Sequence, residues 1–296
     1  MRWLADWDPD ALIVEANPRY PATPAGIRWM HARGRPVIGW GLGSPPLSGS
    51  GRGTSGQALA GPRQTRRLAF LRGFDALIAY SRRGADEYAA LGFPSEKIFV
   101  ATNSVSPRPS PLPPKLPDPD HEPALLFVGR LQARKRIDWL LRACAQLDPA
   151  PRLVIVGDGP ERARLEKLAA EVYPDAEFVG IRRGAELPPY FQAADLFVLP
   201  GTGGLAVQQA MSFGLPVLVA KGDGTQDDLV RSGNGWQIPA DDFPALVSAL
   251  QEALSDIGRL RRMGAESYRI TADEINIEKM VEVFVLALNS IDLTGL

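Results

Sequence analysis

The sequence predicts an α/β protein built from two doubly wound parallel sheets, the first of them incomplete. Three observations carry that expectation. Residues 124–238 hold six short apolar runs separated by helical patterns, the alternation that a parallel sheet with crossover helices requires. Residues 11–101 repeat the alternation with four runs. Between them lies "SVSPRPSPLPPKLPDPDHEP" (104–123), with eight prolines; at that density neither helix nor sheet interior forms, and an extended, stiff linker is expected.

In chain order, "ALIVEA" (11–16) is the first strand. A half-sheet that starts directly at "DALIVEAN" is expected to lack its opening β-α units. Thr23-Pro24 begins a helix, and "PVIGWG" (36–41), "ALIAYS" (76–81) and "KIFVA" (97–101) are three further strands. In the second half, "ALLFVG" is a buried strand, followed by the helical stripe Ile137, Leu140, Leu141, Cys144 and Leu147. "RLVIVGDG" is the next strand. Pro160 then stands in the first turn of a helix carrying Leu165, Leu168 and Val172, a place that suits proline. "AEFVG", "ADLFVLP", "LPVLVA" and "GWQI" follow as strands, with "LAVQQAMSF" and "FPALVSALQEAL" as helices. Last, Ile277, Met280, Val281, Phe284 and Leu288 form an amphipathic stripe expected to pack back across the first domain. The boundaries expected are a partial domain at 1–106, a linker at 107–122, a second domain at 123–270 and a terminal helix within 271–296.

Composition narrows the function. The 296 residues are 45% hydrophobic and 23% charged, with a formal net charge of −1. Two domains of that size can each bury a core, and the balanced charge argues against a nucleic-acid partner. A single cysteine, Cys144, excludes an internal disulfide and a cysteine-based zinc site; its helical spacing marks it as a core residue. No apolar run of about 18 residues is present to span a membrane. The start, "MRWLADWDPD", lacks a signal-peptide core, so a cytoplasmic location is expected. "DPD" occurs at 8–10 and 118–120, a spacing that can hold a divalent metal, but in a turn and a linker; no metal and no cofactor are expected. "PRQTRRLAFLRGF" (62–74) mixes four arginines with apolar residues. It could make peripheral contact with an anionic membrane face, or be a domain helix with a solvated basic side. The run "GLGSPPLSGSGRGTSG" (41–56) has little to pack and could close over an acceptor.

The chemistry is expected beyond the carboxyl ends of the strands, where loops enter helices. "GRLQARKRID" places Gly129, Arg130 and Lys135 in one glycine-led loop, so that two cations can reach one anion. "GDGPER" is a second tight loop. "LPGTGGLAVQQAM" is a third, whose Gly203, Gly204 and Leu205 would offer backbone N–H groups at a helix start, with no side chain to block close approach. Two cations and a glycine-rich helix start on neighbouring strands describe a diphosphate site.

These stretches, in this order, resemble the second domain of the family-4 retaining glycosyltransferases of the GT-B fold. The likeness is close over about 124–237, and "YSRRGADEYAALGFPSEKIFVATNSV" is similar to the end of that family's first domain. The resemblance implies a GT-B-like pair of Rossmann-like domains and transfer of a sugar, with retention, from a nucleotide-diphosphate donor to a glycan or lipid-linked acceptor, in cell-surface polysaccharide synthesis. It implies that Arg130 and Lys135 hold the diphosphate and stabilise the leaving group, that Gly180 and Ile181 meet the base, and that Gly203, Gly204 and Leu205 meet the distal phosphate, with Gly201 and Thr202 also among the donor-binding residues. Gln209 stands where the family has a glutamate on the ribose hydroxyls, and an amide can serve there.

The chain departs from the family at Gly201, where a second glutamate usually contacts the donor sugar. It also has no histidine around Trp40; His31 and His121 lie in a helix and in the linker. Asp223, Thr225 and Asp228, in "GDGTQDD", could take over the sugar contacts or simply form an acidic turn and helix cap. Two readings therefore stand: a transferase, or a non-catalytic relative that binds nucleotide-sugar or partners an active subunit. A GT-B-like epimerase would need cleft carboxylates or histidines, which are missing.

Overall fold

The computed structural model describes residues 2–43, 62–110 and 122–291. His121, the second "DPD" and most of both the glycine-serine run and the proline-dense stretch lie outside the described residues. The chain divides into two compact units, Met1–Asn103 with Lys279–Leu296, and Ser104–Glu278. The terminal residues thus belong with the first unit, and the described start of the proline-dense stretch belongs with the second.

The first unit contains α1 (Arg2–Trp7), β1 (Leu12–Glu15), α2 (Ala22–His31), β2 (Val37–Gly41), α3 (Pro62–Leu71), β3 (Ala76–Ala79), α4 (Arg82–Ala90) and β4 (Ile98–Val100). Its four strands pair in sequence order, β1-β2-β3-β4, and every pairing is parallel. Strand periodicity divides β3 between two cores: Leu77 and Ala79 enter one with Val37, Met30, Leu71 and Phe74, while Ala76 and Ile78 enter the other with Ile38. The second face is covered by α12 (Ile277–Asn289) through Met280, Val283, Phe284, Ala287 and Leu288. Val281, expected in that stripe, is instead 50% exposed; Val283 and Ala287 take the inward positions, because the helical phase is set by Met280, Phe284 and Ala287. In α3, Leu71 and the following Phe74 are buried and Phe70 packs against them. The apolar side of this basic segment therefore faces its own core.

The second unit runs β5 (Ala124–Val128), α5 (Ile137–Cys144), β6 (Arg152–Val156), α6 (Arg162–Val172), β7 (Glu177–Gly180), α7 (Pro188–Ala193), β8 (Leu196–Leu199), α8 (Ala206–Ser212), β9 (Val217–Ala220), α9 (Thr225–Leu229), β10 (Gly235–Ile238), α10 (Phe243–Leu254) and α11 (Ile257–Asp273). The six strands are parallel and ordered β10-β9-β8-β5-β6-β7. β8 and β9 are wholly buried and β5 nearly so, as apolar runs covered on both faces must be. Cys144 is fully buried in this core, and burial pushes its thiol up to about 12. Pro160 does not open α6: it lies in the preceding turn, and the helix starts at Arg162, with the Leu165 amide donating to the Glu161 carbonyl. The 17-residue α11, with Leu260, Met263, Ser267 and Ile270 inward, was not anticipated, since its arginine-rich faces dilute the apolar signal.

Candidate functional site

The strand order of the second unit reverses direction between β5 and β8. From β5 the chain winds outward through β6 and β7; from β8 it winds the other way through β9 and β10. At such a switch point the loops after the two central strands diverge and leave a crevice at their carboxyl ends. Both glycine-rich loops of interest leave these two strands.

Backbone packing fixes them. A Cβ at Gly157 would fall 1.9 Å from the Gly129 carbonyl oxygen, and one at Gly159 would fall 2.3 Å from that of Leu131. Gly129 and Leu131 also donate to the Val156 and Asp158 carbonyls at 3.0 and 2.9 Å. The glycines of "GDGPER" therefore serve contact with the neighbouring loop, not approach of a ligand.

On the other side, the turn 133–135 is clasped by the loop after β8. The Thr202 amide donates to the Arg134 carbonyl at 3.1 Å. Lys135 Nζ donates to the carbonyls of Thr202 at 2.8 Å and Gly203 at 2.7 Å. The Arg134 guanidinium donates to Gln132 Oε1 at 3.0 Å and to Thr202 Oγ1 at 3.3 Å. Lys135 is buried, with 7% of its surface exposed. Burial pulls its ammonium down to about 8; Arg134 adds to the lowering and Asp223 opposes it. A buried cation whose acceptors among the described residues are two neutral carbonyls can be improved by an anion.

The loop's own donors complete the cradle. The amides of Gly203, Gly204 and Leu205 take part in none of the hydrogen bonds among the described residues. Gly204 has φ +140°, a conformation side chains avoid, and a Cβ there would sit 3.5 Å from Lys135 Nζ.

Gly201 has a specific cause. A Cβ at this position would lie 2.1 Å from the Arg134 carbonyl oxygen and 2.6 Å from the Lys135 backbone. No side chain, acidic or otherwise, can be accommodated while the two loops stay clasped.

The structure thus brings together Lys135, Gly201, Thr202, Gly203 and Gly204, with Asp223 within electrostatic reach of Lys135. Arg130 follows Gly129 in the same loop, exposed, and engages in none of the ion pairs or hydrogen bonds among the described residues. Gln209 is half-buried on α8. Gly180 and Ile181 lie at the end of β7, with β6 between them and β5; Ile181 is exposed, and the Gly180 carbonyl accepts from the Gly157 amide at 2.9 Å. The Asp223 carboxylate accepts from the Thr225 amide and hydroxyl at 3.1 and 2.6 Å, a local turn ahead of α9. Elsewhere, the exposed His31 has its Nε2 3.0 Å from Asp75 Oδ2, which also accepts from the Val37 amide. Among the described residues no cluster of three or more His, Cys, Asp or Glu could hold a metal, and no helix is long and apolar enough to cross a membrane.

One residue of consequence escaped the sequence reading. Gln208, wholly buried, accepts from the Val105 and Ser106 amides at 3.2 and 3.1 Å and donates to the Ile275 carbonyl at 3.2 Å. It fastens the start of the second unit to the helix that follows the glycine loop. Only its place beside Gln209, in a run otherwise apolar on that face, could have marked it.

With this geometry in view, residues 122–256 match the family model described as "Glycosyl transferases group 1". The chain is 39% identical over 128 residues to a GDP-mannose-dependent alpha-mannosyltransferase of Mycobacterium tuberculosis, an alignment covering 42% of this chain and 32% of that protein. It is 23% identical to the lipopolysaccharide core biosynthesis glycosyltransferase LpsE of Rhizobium meliloti, over 97% of this chain and 87% of that one. The crystal structure of Anabaena Alr3699/HepE in complex with UDP superposes with a TM-score of 0.71 at 18% identity, covering 90% of this chain and 75% of that one. The fold is GT-B. The chain spans only 32%, 43% and 35% of the length of three curated mannosyltransferase relatives it matches.

Proposed function

We propose that the chain is a glycosyltransferase of the family-4 type, moving a sugar with retention from a nucleotide-diphosphate donor to a glycan or lipid-linked acceptor. The observation that carries this reading is the clasp of buried Lys135 on the Thr202 and Gly203 carbonyls at the switch point of the second sheet. A diphosphate arriving there gains Lys135 and Arg130 as counter-charges and the amides of Gly203, Gly204 and Leu205 as donors. As the bond from the sugar's anomeric carbon to the diphosphate oxygen breaks, negative charge grows on the leaving group. Preorganised cations and amides stabilise it most at that moment, which is commonly the largest catalytic contribution. Gln209 is assigned to the ribose hydroxyls, and Gly180 and Ile181 to the edge of the base. The group 1 match over 122–256 and the UDP-bound neighbour support the donor class. In keeping with the relatives' biosynthetic names, the reaction is assigned to cell-surface polysaccharide assembly; a cytoplasmic location is part of the same proposal.

The test is a melting curve of the full chain with UDP and with GDP. At a hundred times its dissociation constant, a nucleotide that binds only the native state adds about 2.7 kcal/mol. Lys135→Ala and Arg130→Ala should remove the shift; a shift that survives both substitutions overturns the assignment.

A second reading draws on Gly201, whose backbone contacts leave no room for the sugar-facing acid. A non-catalytic relative would give the same melting shift with UDP or GDP but release no nucleotide from any donor sugar in the presence of acceptor.

A further inference from the structure

Beside the clasped loops lies a groove of about 300 Å³, formed at the carboxyl ends of β8, β9 and β10 within the second unit. Its polar walls are Arg134, Arg136, Lys221, Thr202 and Asp241, and Gly201 forms part of its floor. Three cations thus face one carboxylate. Asp241 is already engaged: Arg136 donates to its Oδ1 through Nε at 3.0 Å and through Nη2, and the same guanidinium lies over the Trp139 ring. Arg136 and Asp241 therefore balance each other, and two positive charges remain. Among the described residues Arg134 donates to the neutral groups of Gln132 and Thr202. Lys221 is exposed at the end of β9, its amide bonded to the Ile238 carbonyl, and its ammonium engages no acceptor among the described residues.

The groove also continues the diphosphate cradle. Thr202 lines it and at the same time offers its carbonyl to Lys135. Thr202 is thus shared by the Lys135 clasp and the groove, so a sugar carried on a diphosphate at Lys135 would lie beside this space. A neutral sugar offers the exposed Arg134 and Lys221 no counter-charge, whereas a carboxylate in the groove offers one to both. The planar fork of Arg134 suits a carboxylate, and Lys221, which lines the same groove, adds a point charge.

We propose that this groove is a subsite for an acidic donor sugar, with Arg134 and Lys221 receiving the carboxylate of a hexuronate. The inference deepens the transferase reading and rests on it. The experiment is calorimetric titration of the full chain with UDP and GDP, then with the neutral hexose and hexuronate conjugates of whichever nucleotide binds. The hexuronate donor should bind about tenfold more tightly than the neutral one, the scale of one charge-assisted hydrogen bond. Lys221→Gln, a substitution at an exposed position whose melting temperature serves as the folding control, should bring the ratio close to one, and added salt should narrow it. Equal affinities for the two donors in the unaltered protein overturn the subsite, as does a preference that survives Lys221→Gln combined with Arg134→Gln. Binding of nucleotide without preference defeats this proposal alone; failure of both UDP and GDP to bind defeats the donor reading with it.

Discussion

Gly201 offers the sharpest test of the clasp, because any side chain placed there should harm the protein. Gly201→Ala adds one carbon 2.1 Å from the Arg134 carbonyl oxygen and 2.6 Å from the Lys135 Cα and carbonyl carbon. An ordinary carbon–oxygen approach is about 3.3 Å, so the turn 133–135 must retreat by about 1 Å. All three obstructing atoms are backbone, so no rotamer change can relieve the clash. Gly201 does not have a left-handed φ, so the penalty is purely steric. Overpacking of this kind costs about 1–3 kcal/mol. The retreat also pulls Lys135 Nζ from two carbonyl acceptors, leaving a buried cation under-satisfied, so the total should approach about 3 kcal/mol. For a domain of this size, melting falls about 2–4 °C per kcal/mol, giving a drop of about 6–12 °C. Gly201→Glu should fall at least as far and should weaken nucleotide binding as well. Differential scanning calorimetry with and without UDP or GDP reads both quantities. An alanine variant melting within about 1 °C of the parent, or a glutamate variant with raised turnover and unchanged melting, would refute the clasp.

Three other outcomes follow from the same structure. Burial lowers the Lys135 ammonium to about 8, and an anion beside it favours the protonated form. Nucleotide affinity should therefore hold level below pH 8 and fall up to tenfold per pH unit above it, a dependence that Lys135→Met abolishes in titrations from pH 6.5 to 9.5. The stability sign is opposite: the unfolded lysine keeps its proton to higher pH than the folded one, so the penalty is fully present below about pH 8 and is relieved as pH rises through that value. Gln208→Leu removes an acceptor for two amides and a donor to one carbonyl in a fully buried place; chemical denaturation should register a loss of about 2–4 kcal/mol. Arg136 sits at φ +54°, a conformation that costs a non-glycine residue about 1–2 kcal/mol, while its exposed pair with Asp241 returns at most about 1 kcal/mol. Its place over the Trp139 ring returns about 0.5–1 kcal/mol more, so Arg136→Gly should change stability by less than about 1 kcal/mol, and a larger drop would show that these contacts are worth more than their exposure suggests.

The ten strands of the described residues were legible because each is a short apolar run, and burial on both faces demands little more of a parallel strand than that. Loop and helix positions were less so, for reasons that can be named. Pro160 fits a first helical turn by its fixed φ, but the hydrogen bond from Arg162 to the Gly159 carbonyl makes it part of the turn ahead of α6. In α12 the stripe was assigned to Val281, since hydrophobicity alone does not separate one side of a mostly apolar helix from the other; the small Ala287, wholly buried, marks the true seam. At the site, the residue types were readable and their partners were not. Lys135 looks from sequence like a cation awaiting phosphate, and nothing in "ARKR" tells that it lies buried on the carbonyls of a loop nearly seventy residues away. Gly201 looked like the loss of an acid. Yet a glycine whose missing Cβ is occupied by another loop's backbone is a requirement of the present arrangement. That arrangement holds the Arg134 side chain against Thr202, beside a groove whose other unmatched charge is Lys221. On the proposed reading, a glycine packed against the Arg134 carbonyl and the cationic wall beside it together set what the site can bind. That is why the donor's charge, more than the presence or absence of the glutamate, is the property by which the function of this chain should be tested.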